Sequence, residues 1–65
     1  MNLAEALPKE QARVREVLAM YKEIGPAGMF GAVMIEATLN EADQAVISGD
    51  VVAMIQVYEK LKAVE

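Results

Sequence analysis

Thr38, Ser48, Tyr21 and Tyr58 are the only hydroxyl side chains, and the chain has neither histidine nor cysteine to activate them. Nucleophilic catalysis needs a nucleophile beside a base that a third group orients, so the residue types argue against it. Ser48 reads as a capping or turn residue, and Thr38 as one that packs on its helix or bonds back to it. Carboxylates can do acid–base work when burial drives their pKa values apart. Glu36 with Asn40, and Glu41 with Asp43, are the candidates, and both read more simply as a solvated helix face. A zinc site would rest on carboxylates alone, which is unusual, and the acids lack the loop spacing of calcium motifs. The expectation is a chain that is not an enzyme and holds no cofactor or metal.

Anion binding is the chemistry that remains. Lys9, Arg13, Arg15 and Lys22 fall on one predicted helix, and Lys22 closely precedes the segment Gly25-Pro26-Ala27-Gly28-Met29-Phe30. Backbone N–H groups at a helix start favour a phosphate, and a nearby cation completes such a site. Tyr21, Phe30 and Tyr58 are the only rings able to stack a base. The candidate ligand-binding set is therefore Arg13, Arg15, Tyr21, Lys22, Gly25, Ala27, Gly28, Met29, Phe30 and Tyr58. The plain alternative is that the cations pair with Glu10, Glu16 and Glu23 on an ordinary surface, where each pair is worth little.

The elements that must position these residues are helices. Asn2 followed by Glu5 has the form of an N-terminal box, predicting a short turn through Leu7 that Pro8 stops or redirects. A first long helix is predicted over 8–24, with Val14, Val17, Leu18, Tyr21 and Ile24 on one stripe. Gly25 is expected to close it as a left-handed cap, with Pro26 making the stop definite. The second helix is predicted over 26–48, with Ile35, Leu39, Ala42 and Val46 on its inner face. The third, over 51–64, carries Val51, Met54, Ile55, Tyr58 and Leu61, after a Ser48-Gly49-Asp50 turn in which Asp50 caps it. So short a connection makes helices two and three an antiparallel hairpin.

At 65 residues the chain is a single helical domain, 1–65. A monomer this small buries only about 60% of the surface its unfolded chain exposes. Disulfides and zinc are closed to it, and hydrophobic residues make up 55% of the sequence, so self-association is the remaining source of stability. No charged side chain lies between Glu23 and Glu36. Gly28 and Gly31 in that run let another backbone approach, or else bare amides for an anion. The expected homo-oligomer interface is Met20, Gly28, Gly31, Ala32, Met34 and Ile35. Met20 enters because it falls off the main stripe of its helix. Met29, Met34 and Met54 fit either core gaps or an adaptable binding surface.

A net charge of −4 argues against broad nucleic-acid binding, which needs a basic face. No apolar run reaches the roughly 18 residues of a membrane span, and the N-terminus lacks the basic start of a signal peptide. The chain reads as cytoplasmic, with no membrane partner.

Gly49-Asp50 followed by Ala53, Ile55, Tyr58 and Leu61 resembles the turn and second helix of a tetratricopeptide repeat, over one repeat only. Because solenoids need about three stacked units, this resemblance implies local hairpin geometry. Over the whole chain, Leu7-Pro8-Lys9-Glu10-Gln11-Ala12-Arg13-Val14, Tyr21 to Gly28 and Met34-Ile35-Glu36 resemble small proteins of temperate phages and prophages. That resemblance implies accessory phage cargo, which includes inhibitors of bacterial defence in the host cytoplasm. Some such inhibitors are small helical oligomers that sequester cyclic nucleotide signals, and others are acidic anti-CRISPR proteins that block an effector surface. The sequence reading is thus an all-α homo-oligomer that sequesters a small phosphorylated immune signal. The alternatives are a protein inhibitor of a host defence complex and a structural or regulatory oligomer with no small ligand.

Overall fold

Asn2 opens the first helix in an extended conformation, and its side-chain oxygen accepts from the Ala4 amide at 3.0 Å. That bond satisfies one of the unpaired donors every helix start carries. A computed structural model describes residues 2–65; Met1, the first residue of the expected domain, lies outside the described residues. Helix α1 runs without a break over Leu3–Glu23, and Pro8 sits inside it. The expected stop at Pro8 does not occur. Proline removes the amide that would bond the Ala4 carbonyl, but Ala4 is exposed, so water can take that oxygen. Leu7, immediately before it, is only 1% exposed and ties this first part of the helix to the core.

A 3-10 turn, Pro26–Gly28, leads directly into α2, Met29–Ser48, and a two-residue connection leads into α3, Val51–Lys62. Gly25 does have positive φ, but at φ 85, ψ −147 it is in a region open essentially to glycine alone, not in the left-handed helical region. Gly49, at φ 69 and ψ 19, is the left-handed cap, and its amide bonds the Val46 carbonyl. The Asp50 side chain then accepts from the Ala53 amide at 3.1 Å. With connections this short, α2 lies antiparallel to both neighbours, and the bundle is 35 Å long and about half as wide.

The core is assembled from Leu7, Val14 and Val17 of α1, Ile35, Leu39, Ala42 and Ala45 of α2, and Val57 and Leu61 of α3. Four residues expected inside are exposed instead: Ile24, Val46, Val51 and Ile55. Ile24 lies past the last turn of α1, beyond its inward row. On α2 the small Ala45 faces α3, which leaves Val46, one position round, outside. On α3 two apolar rows compete. The row Ala53, Val57, Leu61 faces in, because its small first member suits the approach to Ala42 and Ala45, so Val51 and Ile55 turn outward. Met54 and Tyr58 remain half-buried against the core. Gln11 occupies the place between Leu7 and Val14; it is 7% exposed and donates to Asp43 Oδ1 at 3.1 Å. A buried polar group satisfied in this way is tolerated, and it fixes the register of α1 on α2.

The unbroken passage of α1 through Pro8 has a measurable consequence. Pro8→Ala restores the missing amide without disturbing any buried contact, and we expect it to stabilise the fold by about 1 kcal/mol or more. Thermal or urea unfolding followed by circular dichroism reads this directly. A destabilised variant would mean that the proline is required at a helix boundary there.

Candidate functional site

The turn between α1 and α2 gathers one tight group of the residues singled out in the sequence. Gly28 is buried against α1: a Cβ there would collide with the Tyr21 carbonyl oxygen and sit 3.1 Å from the Ile24 side chain. Gly31, one turn on, lies under the Tyr21 ring, where a Cβ would stand 2.6 Å from both Cδ2 and Cε2. The ring is held at its far end too, since Tyr21 Oη donates to the Glu65 carbonyl at 2.9 Å. The close backbone approach that glycines permit is therefore an approach of α1 and α2 within the chain. Ala32 and Ile35 are likewise covered internally, at 1% and 6% exposure. Of the six residues expected at an oligomer interface, Met20 and Met34 are largely exposed, while Gly28, Gly31, Ala32 and Ile35 serve the chain's own packing.

The cations go elsewhere. Arg13 donates to Glu10 through Nε and Nη2, and it also reaches across to the last turn of α3, bonding the Leu61 carbonyl at 2.9 Å and the Val64 carbonyl at 3.0 Å. A guanidinium on carbonyls at a helix C-terminus suits the helix dipole, and here it adds to the bond that the Leu61 carbonyl already accepts from the Val64 amide. Arg15 approaches Asp43 at 3.7 Å, and Lys22 pairs with Glu36 at 2.8 Å. The plain alternative in the sequence paired the cations with Glu10, Glu16 and Glu23 of their own helix. Instead both pairs bridge α1 to α2, an arrangement hidden from a reading of one helix at a time. All four side chains are about half exposed, so each pair contributes between nothing and about 1 kcal/mol. Tyr58 lies beneath Lys62, whose Nζ is 5.3 Å from the ring centre.

The amides proposed to cradle phosphate are partly engaged as well. The Gly28 amide bonds the Gly25 carbonyl at 2.9 Å, and the Met29 amide bonds the Pro26 carbonyl. Ala27, Met29 and Phe30 are exposed, and the Phe30 ring is 81% exposed. The expected ligand set thus divides by place: Tyr21 with Gly28 in the helix contact, Lys22 on Glu36, Arg13 at the end of α3, and Phe30 in solvent. Among the described residues no group of acids could hold a metal ion, and no helix is long and apolar enough to cross a membrane.

Two further features were not legible beforehand. A shallow groove of about 340 Å³ lies between α2 and α3, bordered by Gln44, Ser48 and Gln56, with Glu41 and Lys60 paired across it at 2.8 Å. Large exposed apolar side chains also concentrate at the two ends of the bundle. Met20, Ile24, Met29, Phe30, Val33 and Met34 flank the Gly25 turn, and Val46, Ile47, Val51, Val52 and Ile55 flank the Gly49 turn. The middle of α2 between them shows mainly polar residues, Glu36, Asn40, Glu41 and Gln44.

No family model matches the chain, and neither a curated protein nor a solved structure matches it significantly.

The α1–α2 contact sets the next expectation. Gly28→Ala puts a methyl group into backbone that cannot rotate away, and we expect a loss of about 1–3 kcal/mol in urea unfolding, as for overpacking. Gly31→Leu should also lower the stability of the single subunit, because it displaces a Tyr21 ring pinned at both ends. Wild-type stability in both variants would refute the close approach.

Proposed function

We propose that this chain is a non-enzymatic binding module that works as a helical homo-oligomer. In the phage setting its sequence resembles, it would act by occupying a surface of a host defence protein. The observation that carries this reading is the concentration of large apolar side chains on the outside of so small a bundle. Contiguous exposed apolar surface marks sites of association, and a chain with 55% hydrophobic residues has more of it than three short helices can enclose. Arg13, Arg15 and Lys22 are already committed to carboxylates and helix carbonyls. That favours recognition by shape and apolar contact over recognition by charge.

Sequestration of a small phosphorylated signal, of cyclic nucleotide type, is a second reading. One observation favours it: the exposed Phe30 ring stands beside the uncharged Gly25–Gly28 turn, where a base could stack. In this reading phosphate displaces Glu36 from Lys22, or Asp43 from Arg15, and an oligomer pocket supplies the remaining donors.

Native mass spectrometry and calorimetry separate the two. The wild-type chain should assemble above the monomer at micromolar concentration and give no heat with a panel of cyclic di- and trinucleotides. A stable monomer under those conditions would overturn the oligomeric module. Saturable heat with one nucleotide, weakened at least about tenfold by Lys22→Gln as expected for loss of a charge-assisted contact, would establish sequestration instead.

A further inference from the structure

Helix α3 is much the shortest element. Its 12 residues span about 18 Å, whereas the 20 residues of α2 span about 30 Å. Arg13 marks where α3 stops, since it binds the carbonyls of Leu61 and Val64. Met20 lies seven residues after Arg13 and therefore on the same side of α1, two turns further on. Ile24 follows it by four. On α2, Glu41 faces α3 through its pair with Lys60, and Met34 and Phe30 lie seven and eleven residues before Glu41 on that same edge. The sides of α1 and α2 that hold α3 thus continue past its end, and their continuation is Met20 and Ile24 opposite Phe30 and Met34. Between them the floor is the Tyr21 ring stacked on Gly31, reached at its near edge by the Glu65 carbonyl.

We propose that a second copy of this chain docks in this notch, as an isologous two-fold dimer in which each copy's Phe30 enters the notch of the other. This rests on the reading of the chain as a self-assembling module and names the face it uses. Charge selects the occupant. No charged side chain occurs from Ile24 to Ile35, so Ile24, Phe30 and Met34 meet their own copy with no like charges among them, and Glu65 stands only at the rim, its carbonyl on the Tyr21 hydroxyl. The chain as a whole carries −4, so like-charge repulsion counts against self-association through its charged faces. The Gly49 end is apolar too, but pairing it with itself brings Asp50 up to its own copy. Area points the same way: Met20, Ile24, Phe30 and Met34, all large side chains, are 57%, 62%, 81% and 58% exposed, a core for the ~800 Å² per partner that a stable interface buries with its rim included. A two-fold contact also closes, whereas joining the Gly25 end to the Gly49 end would build an open chain or a ring.

Sedimentation velocity of the full chain tests this with three exposed positions, so that folding is not at issue. Circular dichroism should show native helix in all of them. The wild type is expected to sediment as a dimer at micromolar concentration. Phe30→Lys and Met34→Lys should each weaken the dimer by at least about thirtyfold, as for residues at the centre of an interface. Ile47→Lys, 77% exposed at the opposite end, should change it by less than about twofold, as for a site outside an interface. A monomeric wild type would overturn both this proposal and the oligomeric module. An assembly that survives Phe30→Lys, or that Ile47→Lys dissolves, overturns the notch alone and leaves the module standing. Assemblies that grow with concentration and are broken from either end would show head-to-tail association and likewise overturn the two-fold dimer.

Discussion

The contact on which the rest of this bundle depends is that of Gly28 and Gly31 of the α1–α2 turn with Tyr21. A side chain at Gly28 would strike the backbone of α1, and one at Gly31 would strike the Tyr21 ring. Their absence lets α2 leave the turn hard against α1, with Gly25 taking a conformation open only to glycine to make the reversal. From that start α2 carries Ile35 and Leu39 inward, lays Glu36 beside Lys22, and brings Asp43 to both Gln11 and Arg15. Tyr21 then passes the constraint to the other end of the sequence, because its hydroxyl holds the Glu65 carbonyl while Arg13 holds those of Leu61 and Val64. One close approach therefore fixes the α1–α2 register directly, and three hydrogen bonds from two side chains hold the position of α3.

Much of this was written in local signals. The Asn2 and Asp50 caps and the Gly49 stop depend on residues within a turn of one another, and these appear where the sequence places them. Pro8 was misleading because its local meaning, a helix boundary, competes with a tertiary effect: burial of Leu7 holds the helix together across it. The inner face of α3 was misread in part for a related reason. Leu61 is buried as expected and Met54 and Tyr58 pack against the core, but Ala53 and Val57 join them in place of Val51 and Ile55, a choice made by the small residues of α2, outside the segment. Ion pairs followed the same division. Arg13–Glu10, three residues apart, was foreseeable, whereas Lys22–Glu36 and Arg15–Asp43 depend on how two helices lie.

The candidate site shows where a reading of residue types loses its hold. Backbone amides, cations and rings were all present near one turn in the sequence, and such proximity suggests an anion site. In the fold, the angular position of each residue sends it to a different neighbour. Arg13 points to the end of α3, Arg15 and Lys22 point to α2, and Tyr21 is consumed by the glycines beneath it. Composition was informative in another way, because it set a total that the fold had to accommodate. With Gln11 and several alanines occupying inward positions, large side chains such as Ile47 and Phe30 were left outside.

Where that excess lies is not arbitrary. A three-helix bundle with one short helix cannot cover its long pair along their full length, and the uncovered part here is the end whose sequence lacks charge. Had α3 continued for another two turns, it would have lain over Met20, Ile24, Phe30 and Met34. The chain instead leaves the helix after Lys62, and the Val64 and Glu65 carbonyls are held by Arg13 and Tyr21. Met20, Ile24, Phe30 and Met34 stay uncovered beside this contact, and the glycine at position 31 keeps the floor between them low. The same two glycines that bind α1 to α2 thus also shape the surface beside them, so the internal packing and the exposed apolar surface are set by one constraint.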